Sequence, residues 1–395
     1  MAQAATSDVV TRVGAIDILR ALTMVLMIFV NDLGSLTDIP AWLEHAQRDV
    51  DGMGLADIVF PAFLFIVGMS LPFATENRRT RGDSDAKLIW HILLRTFALL
   101  VMGVFLVNGE TIDPAATGIT QTIWNLLVSL CAILIWNLYP KSMSAWTQWL
   151  LKGFGIIGLI IMAGVYRGDD GAMFSPQWWG ILGLIGWSYL IAALVTVSAH
   201  GRLWVLTGAW LVLAGISFAW ASNLVPTPLR ALPEPLIDGT MPALTMGGVI
   251  IGKLFQTYQA SRNSRRMTVV FLILAAVLIG LGLCTRQFWG ISKLRATPAW
   301  LFLCSAITII AFTALYWLTD RAGKAKWFAF IKPAGTDTLL CYLTPAILAA
   351  AIVGLPHLPD ALMSGGIGLL KSLMVALVCV GLTAILTRIG VRLKL

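Results

Sequence analysis

Apolar residues run along this chain in blocks of about 20, the length an α-helix needs to cross a hydrocarbon core of about 30 Å. The blocks fall near 13–31, 54–75, 88–108, 118–139, 149–166, 177–198, 203–221, 240–257, 267–285, 297–318, 335–354 and 366–389. They predict an all-α polytopic membrane bundle of about twelve transmembrane helices,. The least regular stretch is 149–221, where three shorter runs are divided at 167–171 and 200–202. No linker, low-complexity stretch or repeat interrupts the pattern, so residues 1–395 read as a single transmembrane domain,.

The polar breaks give the bundle a direction. One set of loops carries Arg78, Arg79, Arg81, Lys87, Lys141, Arg202, Arg262, Arg265, Arg266, Arg321, Lys324, Lys326 and Lys332, with Arg388, Arg392 and Lys394 after the last block. The other set holds Arg48, Arg167, Arg230, Arg286, Lys293 and Arg295. Basic residues concentrate on the cytoplasmic side, so both termini are expected there. The loops 32–53, 109–117, 167–176, 222–239, 286–296 and 355–365 then face the opposite side, the periplasm if the membrane is a bacterial inner membrane. Arg12 precedes the first block, and Asp17 and Arg20 lie inside it. A secretory signal core carries no such charges, so the first helix is expected to stay uncleaved.

Composition agrees with the pattern. Of 395 residues, 58% are hydrophobic and 12% charged, about half the charged fraction of soluble domains. Mean hydropathy is +0.83. The 16 Trp residues suit membrane interfaces,. The net charge of +8 sits in short loops, which argues topology and against nucleic acid. Cys131, Cys284, Cys304, Cys341 and Cys379 are scattered singly in apolar blocks and read as small buried hydrophobes,. His45, His91, His200 and His357 form no spaced cluster with carboxylates, so no metal site is expected,.

Ionisable groups inside spanning segments are costly, which makes them functional candidates. Asp17 and Arg20 share a helix face, as an ion pair or as ligand contacts,. The far end of the first helix is richer. Asn31 and Asp32 lead into a loop with Trp42, Glu44 and His45, and the chain re-enters the membrane at Asp57. Singly, these are interfacial caps, a solvated histidine and a helix-capping carboxylate. Together they place an amide, two carboxylates and an imidazole at one membrane boundary, which suits general-base chemistry near neutral pH.

The order of residues here resembles a known family. Ile16-Asp17-Ile18-Leu19-Arg20, Val30-Asn31, His45-Ala46 and Ala56-Asp57-Ile58-Val59-Phe60-Pro61, followed by Phe65-Ile66-Val67-Gly68, are similar to the catalytic domain of heparan-α-glucosaminide N-acetyltransferase. Its bacterial relatives include the NagX-type inner-membrane proteins. The signature occupies residues 12–75, and Gly247-Gly248 to Gly252-Lys253 resembles a later family helix. Arg95, Gln121, Lys293 and the segment 335–342 also match family positions. The chain departs from the pattern too. It has two extra residues between His45 and Asp57, Val50 in place of Trp, Thr122 in place of Arg, and Leu294 and Asp337 in place of Asn. The helix pair at 177–221 replaces a large lumenal loop.

The resemblance implies acetyl transfer from cytoplasmic acetyl-CoA to a glucosamine-type amine across the membrane. It makes His45 and Asn31 catalytic, with Asp57 or Asp32 in support or on the sugar. It points to Lys253, with Arg20, Arg95, Gln121 and Lys293, for CoA, and to a homodimer among membrane lipid. Direct transfer and a route through acetyl-histidine both fit, and direct transfer is favoured as needing no labile intermediate. Two other functions fit the residues: a transporter of N-acetylglucosamine, and an O-acyltransferase acting on envelope polysaccharide.

Overall fold

The computed structural model describes residues 14–352 and 359–395. Arg12, Val13, His357 and the last residues of the predicted 335–354 segment lie outside them. Each of the twelve apolar blocks holds a helix: α1 Gly14–Leu33, α2 Leu55–Thr80, α3 Asp85–Asn108, α4 Gln121–Trp136, α5 Ala145–Val165, α6 Ile181–Ala199, α7 Leu203–Ala221, α8 Thr240–Ala260, α9 Ser264–Trp289, α10 Pro298–Tyr316, α11 Thr338–Ala351 and α12 Gly365–Arg388. No strand is present among the described residues. Nine of the described helices are long and apolar enough to cross a membrane, ten if the bent pair before and including α11 counts as one span.

The shortfall from twelve has local causes. α4 has 16 residues, about 24 Å of helix, because Thr120 caps its start and Asn137 leaves helical geometry before Pro140. α8 carries Lys253, Gln256 and several Thr and Gly residues, but it lies among other helices instead of facing lipid. The predicted helix at 335–354 is broken at Asp337, whose φ of −121° and ψ of 54° separate Lys324–Thr336 from α11 by 81°. In the least regular stretch α6 starts at Ile181, four residues later than predicted. Ser175-Pro176 holds the preceding chain extended there,.

α2 is the central helix, with 72% of its apolar window covered by protein against 17% for α5, 22% for α7 and α9 and 28% for α12. Its closest partner is α8. A Cβ at Gly68 would collide with the Thr245 carbonyl, at Gly248 with the Phe65 carbonyl, and at Gly252 with Met69. Glycines thus let two backbones touch, the usual device for packing helices in lipid. α1 and α10 complete the centre, α3 pairs with α6, α4 with α5, and α9 with α10. Consecutive long helices alternate in direction. The C-terminal end of α1, the N-terminal end of α2 and the α9–α10 loop therefore meet at one end of the bundle, and Lys253 points its helix toward the other.

Candidate functional site: a carboxylate-bound histidine at the loop end

The 14 residues from Glu44 to Asp57 fold back onto the start of α2. Gly54 precedes the helix, and a Cβ there would collide with the Glu44 carbonyl oxygen, so only glycine lets the loop close this tightly. Asp57, in the first turn, accepts from Gly54 N at 3.0 Å and from Ala46 N at 2.9 Å, both on Oδ2. Its other oxygen, Oδ1, lies 2.6 Å from His45 Nδ1. The Asp57 carbonyl accepts from the fully buried Trp300 indole at 3.0 Å, with Cys304 Sγ 3.9 Å away. The carboxylate is 1% exposed while the imidazole is 46% exposed. A buried, fully hydrogen-bonded acid therefore grips an accessible ring.

That geometry assigns the tautomer. A carboxylate only accepts, so His45 Nδ1 carries a proton, and in the neutral ring Nε2 holds the lone pair. Nε2 has no hydrogen-bond partner among the described residues. Lys293, from the α9–α10 loop, brings Nζ to 3.4 Å of the same Nδ1. With Nδ1 already donating, Lys293 acts there as a neighbouring charge and not as a hydrogen-bond donor. Burial pushes the pKa of its ammonium below the usual lysine range, and the Asp57 carboxylate opposes that shift,.

Two clamps hold the loops together. Asp51 accepts from Ile291 N at 2.7 Å and from Arg286 Nε at 2.9 Å, and Gly52 N donates to the Ile291 carbonyl at 3.0 Å. The Ile291 amide, followed by Arg286, holds the Asp51 carboxyl below its ordinary range. On the other side Thr240 Oγ1 donates to the Ala296 carbonyl at 2.7 Å and meets Ser217 Oγ at 2.6 Å. Asp238 caps the same turn through Thr240 N at 3.0 Å. Its complete burial, with Glu234 nearby, raises its pKa to about 8.

The structure thus brings His45, Asp57 and Lys293 together and sends other candidates elsewhere. Lys293, grouped in the sequence with the CoA contacts, sits at the His45 end. Asn31 is exposed on the last turn of α1 at this end, with no hydrogen bond to His45 among the described residues. Asp32 turns to α12, bonding Lys371 Nζ at 2.7 Å and Ser372 Oγ at 2.5 Å. Arg20 bonds Asp17 at 3.0 Å and Ser70 Oγ at 2.5 Å. Arg95 lies over the Tyr189 ring at 4.8 Å, its Nε buried without a partner. Gln121 is exposed at the start of α4. Lys253 bonds Gln256 at 3.3 Å and lines a small cavity with Arg79, Glu76 and Thr196 toward the other end of the bundle. Asp51, Thr240 and Trp300 were not singled out in the sequence. Their partners lie far along the chain, and no local pattern marks them.

Among the described residues no group of three His, Cys, Asp or Glu is placed to hold a metal ion. Cys131, Cys304, Cys341 and Cys379 are buried and Cys284 is exposed, all as free thiols.

A polytopic helical protein with a carboxylate-held histidine at one end is the class that fold and site define. Residues 12–222, over half of the chain, match the family model "Domain of unknown function (DUF5009)", and the chain belongs to that family. Among curated proteins it is similar to heparan-alpha-glucosaminide N-acetyltransferase of Mus musculus, 30% identical over 162 residues, covering 35% of this chain and 24% of that protein. The Homo sapiens protein of the same name is 27% identical over 180 residues, covering 40% of this chain and 25% of that protein. The chain therefore aligns with only about a quarter of the length of these relatives.

Proposed function

We propose that this chain is a transmembrane acetyltransferase that moves an acetyl group from acetyl-CoA to the amine of a glucosamine-type sugar. The observation that carries the reading is the 2.6 Å contact between an accessible imidazole and a buried carboxylate. The similarity to two N-acetyltransferases supports it.

A glucosamine amine is largely protonated near neutral pH and must lose a proton before it can attack. That first proton goes to solvent, and His45 Nε2 takes the second as the neutral amine nitrogen bonds to the thioester carbonyl carbon. Asp57 holds the ring in the reactive tautomer and stabilises the imidazolium that forms. The tetrahedral oxyanion needs a positive or dipolar partner, a role for Lys293 or the Asn31 amide. Collapse breaks the carbon–sulfur bond, and the imidazolium returns its proton to the departing thiolate. The products are the N-acetyl sugar and free CoA, with no acetyl-histidine between.

The donor is read as entering from the basic end. Lys253 and Arg79 are cations suited to its phosphates. The cavity they share is about 20 Å³, room for roughly one water. A bound nucleotide therefore rests at the rim of this cavity or spreads the helices around it. Its pantetheine arm has no path between α2 and α8, whose backbones touch.

The test is purified protein with acetyl-CoA and glucosamine, scoring free CoA and N-acetylglucosamine together. Turnover that His45→Ala abolishes in a folded protein is the expected result. Proteoliposomes that accumulate N-acetylglucosamine without acetyl-CoA, while no amino sugar is acetylated, would overturn it.

A further inference from the structure

A wide cavity lies away from His45, on the outer face of the bundle between α3 and α5. It is a groove of about 660 Å³, within the ~300–1,000 Å³ of ligand sites. α3 contributes one stripe, His91, Leu94, Phe97, Val101 and Phe105, and α5 contributes Ile156, Leu159, Ile160 and Ala163. The α3 stripe spans the 15 residues from His91 to Phe105, about 21 Å along the helix, longer than the ~15 Å of one leaflet. Phe97 and Ile160 are each 65% exposed, so the groove opens sideways, toward lipid.

Its two ends differ. Phe105 and Phe174 close the end near the C-terminus of α3, and His91 and Lys394 stand at the other. Lys394 is placed there by the chain after α12, which folds back on the end of α4. Leu138 N donates to the Arg392 carbonyl at 2.8 Å, and Lys394 N donates to the Trp136 carbonyl at 3.1 Å. Arg78 and Arg95 add positive charge around His91, with Asp83 the opposing carboxylate. Asp83 is already paired with Arg78 at 3.6 Å and Lys87 at 2.5 Å. The mouth is therefore net cationic while the rest of the groove is apolar.

We infer that this groove is a binding site for one anionic phospholipid of the leaflet at the basic end. An acyl chain lies along α3 and α5, and the phosphate headgroup meets Lys394 and His91. Charge decides the occupant. An apolar helix of a second copy would fill the groove equally well but would leave the cationic mouth unanswered. The inference does not depend on the acetyl-transfer reading.

Native mass spectrometry of the intact protein tests it, after equilibration with phosphatidylglycerol or phosphatidylcholine vesicles and extraction in mild detergent. Wild type is expected to retain one phosphatidylglycerol and to lose phosphatidylcholine. Lys394→Glu, at an exposed position, should lower phosphatidylglycerol retention by at least roughly fivefold, the scale of one basic contact at a membrane surface. Ile160→Trp, also exposed, should block the groove for either lipid. Unchanged gel filtration and melting show that both variants fold. Retention without headgroup preference, retention that neither variant alters, no retained lipid, or a dimer that Ile160→Trp dissociates each overturns the assignment.

Discussion

At the residue scale, Asp57 fixes which nitrogen of His45 can serve as the base. In Asp57→Asn the two backbone donors on Oδ2 fix the amide oxygen in place, so the amide NH₂ must face His45 Nδ1. Nδ1 then accepts, Nε2 becomes protonated, and the base is lost while the loop stays folded. Acetyl transfer should fall by about 10²–10⁴-fold with little change in melting temperature. Asp57→Ala should lose both, at a cost of about 1–3 kcal/mol for each backbone donor, Ala46 N and Gly54 N, left without its acceptor,. Rates and thermal melts of the two variants, compared side by side, check this; equal rates in Asp57→Asn and wild type would remove the carboxylate from the mechanism. Asp238 gives a separate pH signature. Its pKa of about 8 in the fold lies above the ~3.9 of an unfolded aspartate, so the folded state holds the extra proton between those values. Its contribution is full below the lower value and declines as pH rises toward the upper. Asp238→Asn keeps the capping oxygen and removes the titration. The melting temperature of wild type should therefore drop relative to this variant from acid to about pH 8, then run parallel. The clustering of His45 and Asp57 was legible because they stand 12 residues apart. The arrival of Lys293, 248 residues from His45, and the diversion of Asp32 to Lys371 were not, since side-chain partners across helices leave no trace in local spacing.

At the element scale, helix positions were readable because the apolar blocks are long, but four starts lie three or four residues away from the block edges, at polar caps that the apolar pattern does not mark. Ser84, Thr120, Ser144 and Asn263 each accept a backbone N–H at the start of α3, α4, α5 and α9. The break at Asp337 was hidden, since 335–354 is as apolar as a spanning helix. It forms where Gly335 lets the preceding short helix approach α1, a Cβ there meeting the Asp17 carbonyl at 2.5 Å. The same kind of contact governs α2 and α8. Gly248→Ala puts a methyl against the Phe65 carbonyl, and because that neighbour is backbone, neither helix can yield by a rotamer change. Overpacking of this kind costs about 1–3 kcal/mol or more. A lower melting temperature in detergent is expected for Gly248→Ala, whereas Gly280→Ala, which meets nothing within 4 Å, should be neutral. Equal melting of the two variants would show that α2 and α8 are not packed backbone to backbone.

At the scale of the whole molecule, the two ends of the bundle are chemically unlike. His45, Asp57 and Lys293 share one end, while Lys253, Arg79 and most loop cations lie toward the other. Helices that alternate in direction around a central α2 keep these groups apart, with Lys253 about 20 Å along α8 from Thr240 at the His45 end,. We propose from the loop charge that the basic end faces the cytoplasm. The proposed reaction therefore has a sidedness that a soluble acetyltransferase lacks, and vesicles of opposite orientation measure it. With acetyl-CoA sealed inside right-side-out vesicles and a membrane-impermeant glucosamine conjugate outside, the conjugate should be acetylated. With both reactants outside the same vesicles it should not, because neither the nucleotide nor its phosphates cross the bilayer. Inside-out vesicles should reverse the requirement. Acetylation with donor and acceptor on the same side would place both binding sites at one face, and the separation of Lys253 from His45 would then carry no meaning for catalysis.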